Sequence, residues 1–224
     1  MPLQELLRQQ LRAAPEADAA NAIQQVHSGC ATHVLHAAHR AGVSKLLYLA
    51  SSCVYPKDAP QPIREDSLYA GPLEPTNLAY ASAKLAGLEL CRALRQQHGA
   101  DFNIAVPTNY FGPGDDFSPE NSHVVGALMA RMRAARQDGD AELSIWGTGR
   151  ARREFLYVDD VADAAVFLML AHSWDGPLNI GCGVAVSIAE LAEMLQDITG
   201  YAGTLSYDTS KPDGMPVKVL DSSA

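Results

Sequence analysis

The sequence predicts an α/β fold built on a parallel sheet, and three observations predict it. Two short, nearly continuous apolar runs, KLLYLASS over 45–52 and FNIAV over 102–106, read as strands buried on both faces. Long helical patterns alternate with them, the order expected of strand–helix–strand crossovers. Each run leads into small polar residues, Ser51-Ser52-Cys53 and Pro107-Thr108-Asn109, at the strand ends where such sheets bind ligands.

The elements follow in order. Residues 3–13 and about 20–41 read as helix, interrupted by Pro15 and closed by Gly42. After the 45–52 strand, residues 55–76 hold five prolines, which predicts a long surface loop. A helix over 79–98 stops at Gly99, and FNIAV is closed by Pro107. The loop PTNYFGPGDDFSPENS leads to a helix from about 123 to 136. ELSIW (142–146) is the next strand, and WGTGRARREFLYV is a turn into an extended stretch. Asp159 or Asp160 is expected to cap a helix running to about 172, and PLNIG is a further short strand. Ser187 and Glu190 form a capping box for a helix over 188–199, with Gly200 just past its end. TLSY is the final strand, ahead of a tail containing Pro and Gly.

At 224 residues the chain suits one large domain or a domain and a half. Its formal net charge of −9 and pI near 5.1 argue against binding nucleic acid or an anionic membrane. Cys30, Cys53, Cys91 and Cys182 are scattered without a CxxC pair, so a reduced, cytoplasmic setting is the expectation. The first twenty residues carry charges throughout and read as neither signal peptide nor membrane span. Cys30, His33, His36 and His39 recur every three residues, but steps of three drift around a helix, and no metal site is expected.

The stretch NLAYASAKLAG (77–87) places Tyr80 and Lys84 one helical turn apart on one face. A cation beside a phenol favours its ionised form, so the pair suits general acid/base work. Such spacing also arises without function.

Taken with Ser51 and Ser52, this pair resembles the Ser/Thr–Tyr–Lys triad of the extended short-chain dehydrogenase/reductase family. SSCVYP, LEPTNLAYASAKLAG, PTNYFGPGDDFSPENSHV, WGTG with RREFLYVDD, and KPDG are similar in order and spacing to the signature stretches of its GDP-L-fucose synthase branch. The resemblance implies a Rossmann-like parallel sheet, incomplete here, with helices on both faces and a small C-terminal α/β substrate-binding lobe. It divides the chain into a helical segment over 1–29, a catalytic part over 30–141, and a lobe over 142–224 interleaved with the first. It implies an NADPH-dependent epimerase–reductase of GDP-4-dehydro-6-deoxy-D-mannose, acting as a homodimer. The alternatives are a non-catalytic sugar-nucleotide-binding or dimerisation partner, and another nucleotide-sugar epimerase.

By the same resemblance, Tyr80 and Lys84 are catalytic, with Ser51, or alternatively Ser52, on the substrate carbonyl. Leu49, Ala50, Ser51, Ser52, Lys84, Pro107, Thr108, Asn109, Tyr110 and His123 fall on cofactor-binding segments. Cys53 and His123 match the pair that moves protons beside the ketone, and a thiol and an imidazole suit that exchange near neutral pH. Read alone, Cys53 is a small core residue and His123 a polar helix cap. Arg131, Trp146, Arg153, Asp213 and, less directly, Lys218 lie where the family binds the GDP-sugar. Read alone, Arg131 suits a solvated helix face, and Trp146 at a strand end fits the core as well as it fits a pocket lining. No GxGxxG or GxxGxxG occurs in the sequence, so the Gly-rich turn that cradles a dinucleotide's pyrophosphate has no counterpart.

Overall fold

The computed structural model describes residues 19–118 and 122–224. The helix expected over 3–13 lies outside the described residues. Helix α1 (Ala19–Arg40) precedes strand β1 (Lys45–Leu49), α2 (Leu78–His98) and β2 (Asp101–Pro107). β3 (Asn109–Phe111), α3 (Val124–Asp138), β4 (Glu142–Trp146), β5 (Arg152–Tyr157) and α4 (Val158–Ala171) follow. β6 (Pro177–Ile180), β7 (Ala185–Ser187), α5 (Ile188–Thr199), β8 (Thr204–Asp208) and β9 (Val217–Lys218) complete the order.

The first sheet runs β1-β2-β6, all parallel, with Leu49 opposite Ala105 and Pro107 opposite Ile180. On β2, Phe102, Ile104 and Val106 are buried against Leu35 of α1 and Leu88, Cys91 and Leu94 of α2. Ala105 points to the other face, where Leu168 of α4 and Ile180 meet it. Helices therefore cover both faces, and each large side chain so buried contributes about 1.5–3 kcal/mol.

The second lobe gathers β3, β5, β7 and β9, and pairs β4 with β8 in parallel. α3 and α5 close it around Val125, Leu128, Met132, Leu143, Ile145, Leu191 and Leu195. The chain leaves the first sheet after β2, returns to it for β6, which pairs with β2, and leaves again at β7, so it crosses between the lobes three times.

Glu154 of β5 sits at that crossing. Its carboxylate is 0% exposed and accepts the backbone N–H groups of Gly183 (2.6 Å) and Leu220 (3.0 Å). Its backbone carbonyl accepts Thr108 Oγ1 at 3.3 Å and Asn109 Nδ2 at 3.0 Å. One residue thus ties the end of β2, the 181–183 turn and the tail beyond β9 together.

The structure departs from the sequence expectations in several places: TLSY is not the last strand, because β9 forms in the tail by pairing with β5, and β7 forms against the same strand. β1 pairs in parallel, but Lys45 to Tyr48 are only half-buried and Leu49 is exposed. Among the described residues β1 has one neighbouring strand, β2, so its second edge is not screened. β3 forms inside the expected 107–122 loop because β5 offers it a partner. Tyr157, not Asp159 or Asp160, occupies the N-cap of α4, and the two carboxylates lie in the first turn. The proline-rich 55–76 stretch is a loop, but it carries short 3-10 turns at 65–67 and 75–77. The capping box forms as expected: Ser187 Oγ accepts Glu190 N–H at 3.1 Å, and Glu190 Oε2 accepts Ser187 N–H at 2.7 Å.

Candidate active site

The carboxyl end of β1 turns sharply because Ser51 caps a 3-10 turn over 52–54, its Oγ accepting Cys53 N–H at 3.3 Å. That turn sends Ser52 inward, where it is 3% exposed, and leaves Ser51 hydrogen-bonded to Tyr80 of α2. The sequence left Ser51 and Ser52 open; the structure joins Ser51 to the tyrosine.

Lys84 Nζ donates to the Leu49 carbonyl at 2.9 Å and stands 5.8 Å from the Tyr80 ring centroid. Burial pushes the Tyr80 phenol above its ordinary value, the Ser51 hydrogen bond pulls it partly back, and Cys53 and Tyr110 add to the rise. Burial also lowers the Lys84 ammonium. Desolvation is the largest influence on the Tyr80 phenol, and the Lys84 ammonium is turned toward the Leu49 carbonyl. A phenol so placed holds its proton at neutral pH and is a proton donor. α2 approaches β1 closely enough for this cluster only because residue 87 is glycine. A Cβ there would lie 2.3 Å from Tyr48 Oη.

Cys53 is half-buried beside this cluster, and Lys218 Nζ of β9 donates to its sulfur at 3.3 Å. His123 takes the N-cap position of α3, is exposed, and makes no side-chain capping bond. Its polar-cap reading therefore fails.

The four residues expected at the sugar nucleotide gather around the end of β4. Trp146 is 69% exposed rather than core, with Lys211 Nζ 5.4 Å above its ring. Arg131 Nη2 donates to the Ser144 carbonyl, two residues before the tryptophan. Asp213 accepts Thr148 N–H and Thr148 Oγ1, both at 2.7 Å, which shapes the 147–149 turn. Those hydrogen bonds, with the Arg153 and Arg150 charges, hold its carboxyl below the usual range. Arg153 Nη2 reaches the Asp213 carbonyl at 3.3 Å, and burial lowers its guanidinium against the opposing pull of the Asp213 charge. The Cys53 side chain is near enough to Arg153 to influence its charge.

The cofactor segments divide. Ala50, Pro107 and Thr108 are buried, and the Thr108 and Asn109 side chains are committed to the Glu154 carbonyl. Leu49 and Tyr110, at 37% and 50% exposed, offer open surface next to Lys84 and Tyr80. Sequence reasoning missed Glu154, Thr148 and Lys211. RREF reads as part of an extended stretch, and nothing local marks its glutamate as the buried one. Among the described residues no group of three or more His, Cys, Asp or Glu is placed to hold a metal, and His39 stacks on His98 with ring centroids 4.4 Å apart. Among those residues, too, no helix is long and apolar enough to cross a membrane.

Comparison with known proteins adds to this geometry. The model of the NAD dependent epimerase/dehydratase family matches residues 12–181. The chain is 53% identical over 192 residues to GDP-L-fucose synthase 1 of Arabidopsis thaliana, covering 86% of this chain and 59% of that protein. It is 46% identical over 199 residues to the GDP-L-fucose synthase of Escherichia coli K12, covering 85% of this chain and 62% of that protein. The chain thus spans about three fifths of the length of these curated relatives. A GDP-L-fucose synthetase from Naegleria fowleri bound to NADP matches with a TM-score of 0.86 at 28% identity, over 94% of this chain and 65% of that one. A GDP-6-OMe-4-keto-L-xylo-heptose reductase from C. jejuni has the same TM-score and identity, over 93% and 71%. With its strand-end serine hydrogen-bonded to a helical tyrosine, and with a family model matching most of its length, the chain belongs to the NAD dependent epimerase/dehydratase family.

Proposed function

We propose that this chain is the catalytic and substrate-binding portion of an NADPH-dependent epimerase–reductase converting GDP-4-dehydro-6-deoxy-D-mannose to GDP-L-fucose. One observation carries the reading: Cys53 stands beside the Ser51–Tyr80 hydrogen bond. A group that removes a proton next to a ketone is thereby adjacent to the group that protonates the ketone's oxygen.

In this reading Ser51 donates a hydrogen bond to the substrate carbonyl. That polarises the neighbouring C–H bonds, and Cys53 accepts the proton from one of them. His123, exposed at the start of α3, is the second proton carrier at these carbons. Tyr80, holding its proton at neutral pH, delivers it to the C4 oxygen during reduction. Trp146 offers an indole face to the sugar nucleotide, and Arg153 and Arg131 offer guanidinium groups to the diphosphate.

Bound NADPH supplies the hydride. The residues present fit its nicotinamide end, since the Lys84 ammonium lies beside the open apolar surface of Leu49 and Tyr110. Lys84 would hold the ribose there. The Naegleria structure, named as NADP-bound, and the family's description support a nicotinamide cofactor. The four unpaired cysteines support a reducing, cytoplasmic setting.

The test is to incubate the purified chain with the 4-keto sugar nucleotide and NADPH and to follow GDP-L-fucose by chromatography. NADPH and GDP binding are measured alongside by fluorescence and calorimetry. The expected result is turnover that falls by about 10²–10⁴-fold in Tyr80→Phe. In D2O without NADPH, deuterium enters the substrate beside the ketone, and Cys53→Ser stops it. NADPH binding without turnover or exchange would overturn the reading. GDP binding without NADPH binding would instead assign a sugar-nucleotide-binding portion without redox chemistry.

A further inference from the structure

Lys218 is 8% exposed, and burying an ammonium is costly unless a negative partner offsets it. Its hydrogen-bond acceptor among the described residues is Cys53 Sγ, and none of their carboxylates forms an ion pair with it. A neutral thiol is a weak acceptor, whereas a thiolate carries a full charge. The partner that suits a buried ammonium is therefore S⁻.

The rest of the fold fixes this contact. β9 pairs with β5 so that Lys218 lies opposite Arg153, and Leu220, two residues on, is held by Glu154 Oε2 at 3.0 Å. The Cys53 amide is held in turn by Ser51 Oγ. Tyr80 and Arg153 interact electrostatically with the sulfur, and Glu74 acts on Arg153 as well. Arg153 of β5 is engaged with the carbonyls of Arg152 and Asp213, and Tyr80 of α2 is bonded to Ser51.

We propose that Lys218 is a positioning residue for Cys53: its buried ammonium holds the sulfur as a thiolate aimed into the site. The inference deepens the proposed function and rests on Cys53 as the proton acceptor. In that step the substrate C–H bond breaks, its electron pair stays on the substrate as an enolate, and an S–H bond forms. No oxidant or reductant is involved. Lys218 thereby serves the sulfur, not the diphosphate.

The test is alkylation of the intact chain by iodoacetamide from about pH 6 to about pH 10, a range that brackets an ordinary thiol's titration. Modification is read on the Cys53 peptide by mass spectrometry, so the other cysteines do not interfere. Lys218→Met is expected to slow labelling by about tenfold or more at neutral pH, since a close opposite charge is worth about one to three pH units. The two rates converge at high pH, and Lys218→Arg restores most of the neutral-pH rate. Circular dichroism checks the fold of each variant. Equal rates at neutral pH in a folded Lys218→Met would overturn the proposal. Uniform slowing at every pH would do so as well, because that reports access rather than charge. The experiment needs neither NADPH nor turnover. A shifted alkylation profile without epimerase activity leaves the Lys218–Cys53 pair standing and removes the assigned reaction. Activity with an unshifted profile removes only the role of Lys218.

Discussion

Replacing Glu154 by glutamine probes the joint between the lobes. The carboxylate is fully buried and accepts two backbone N–H groups, from Gly183 at 2.6 Å and Leu220 at 3.0 Å. Hydrogen bonds to a charged acceptor are worth about 1.5–3 kcal/mol each, so the pair contributes about 3–6 kcal/mol. Glutamine keeps one oxygen, which retains one bond in a weaker neutral form of about 1 kcal/mol. Its NH₂ group then faces the other backbone N–H, leaving two buried donors opposed at a cost of about 1–3 kcal/mol. Gly181 makes the space the carboxylate occupies, since a Cβ there would lie 2.5 Å from Glu154 Oε1. The expected loss is at least about 3 kcal/mol, seen as a lower urea midpoint at unchanged slope. A loss under about 1 kcal/mol would refute the account, since it would mean the carboxylate is not the joint.

Three further outcomes follow from the same structure. Gly87→Ala gains about 1 kcal/mol of helix propensity. It loses about 1–3 kcal/mol by overpacking against Tyr48, so thermal unfolding should fall and Lys84 should shift with its helix. Ser187→Ala removes one arm of the capping box and should cost about 1 kcal/mol, a drop of about 2–4 °C in calorimetry. Burial pushes the Asp101 carboxyl up, but hydrogen bonds from Ser173, Arg95 and Asn103 and the Lys45 charge outweigh it and hold it below its usual value. Its contribution is therefore full above the unfolded value of about 4 and lost as pH falls through the lower folded value. Asp101→Asn should flatten that acid limb in urea midpoints measured from neutral pH downward.

What was legible in the sequence was local. Gly99 and Gly200, both with left-handed φ, end α2 and α5 where the pattern placed them, and the Ser187–Glu190 box starts α5. The choice between Ser51 and Ser52 was not legible, because it depends on a 3-10 turn that the residue types do not demand. Trp146 was legible in principle. Leu143 and Ile145 alternate inward along β4, which turns the next residue outward, and the buried and exposed pattern of the strand follows that period. β3, β9 and Glu154 were not legible, because each is defined by a partner far along the chain. The expected burial of β1 failed for a related reason: an apolar run says what a strand prefers, not how many neighbours it has.

The contact between Lys218 and Cys53 spans 165 residues, and the nearby bridge of Ile63 to Leu220 spans almost as many. Pairings of this separation must meet the entropy of a long loop before any contact repays it, and they form slowly. Helix α2, with Tyr80 and Lys84, packs on segments close to it in sequence and needs no such closure. The site therefore has an order of assembly written into its connectivity. The expected order is that serine, tyrosine and lysine come together early around β1 and α2, and that Lys218 reaches Cys53 only once β9 has paired with β5. Until that last strand docks, a chain that already has most of its sheet still lacks the contact between Lys218 and Cys53.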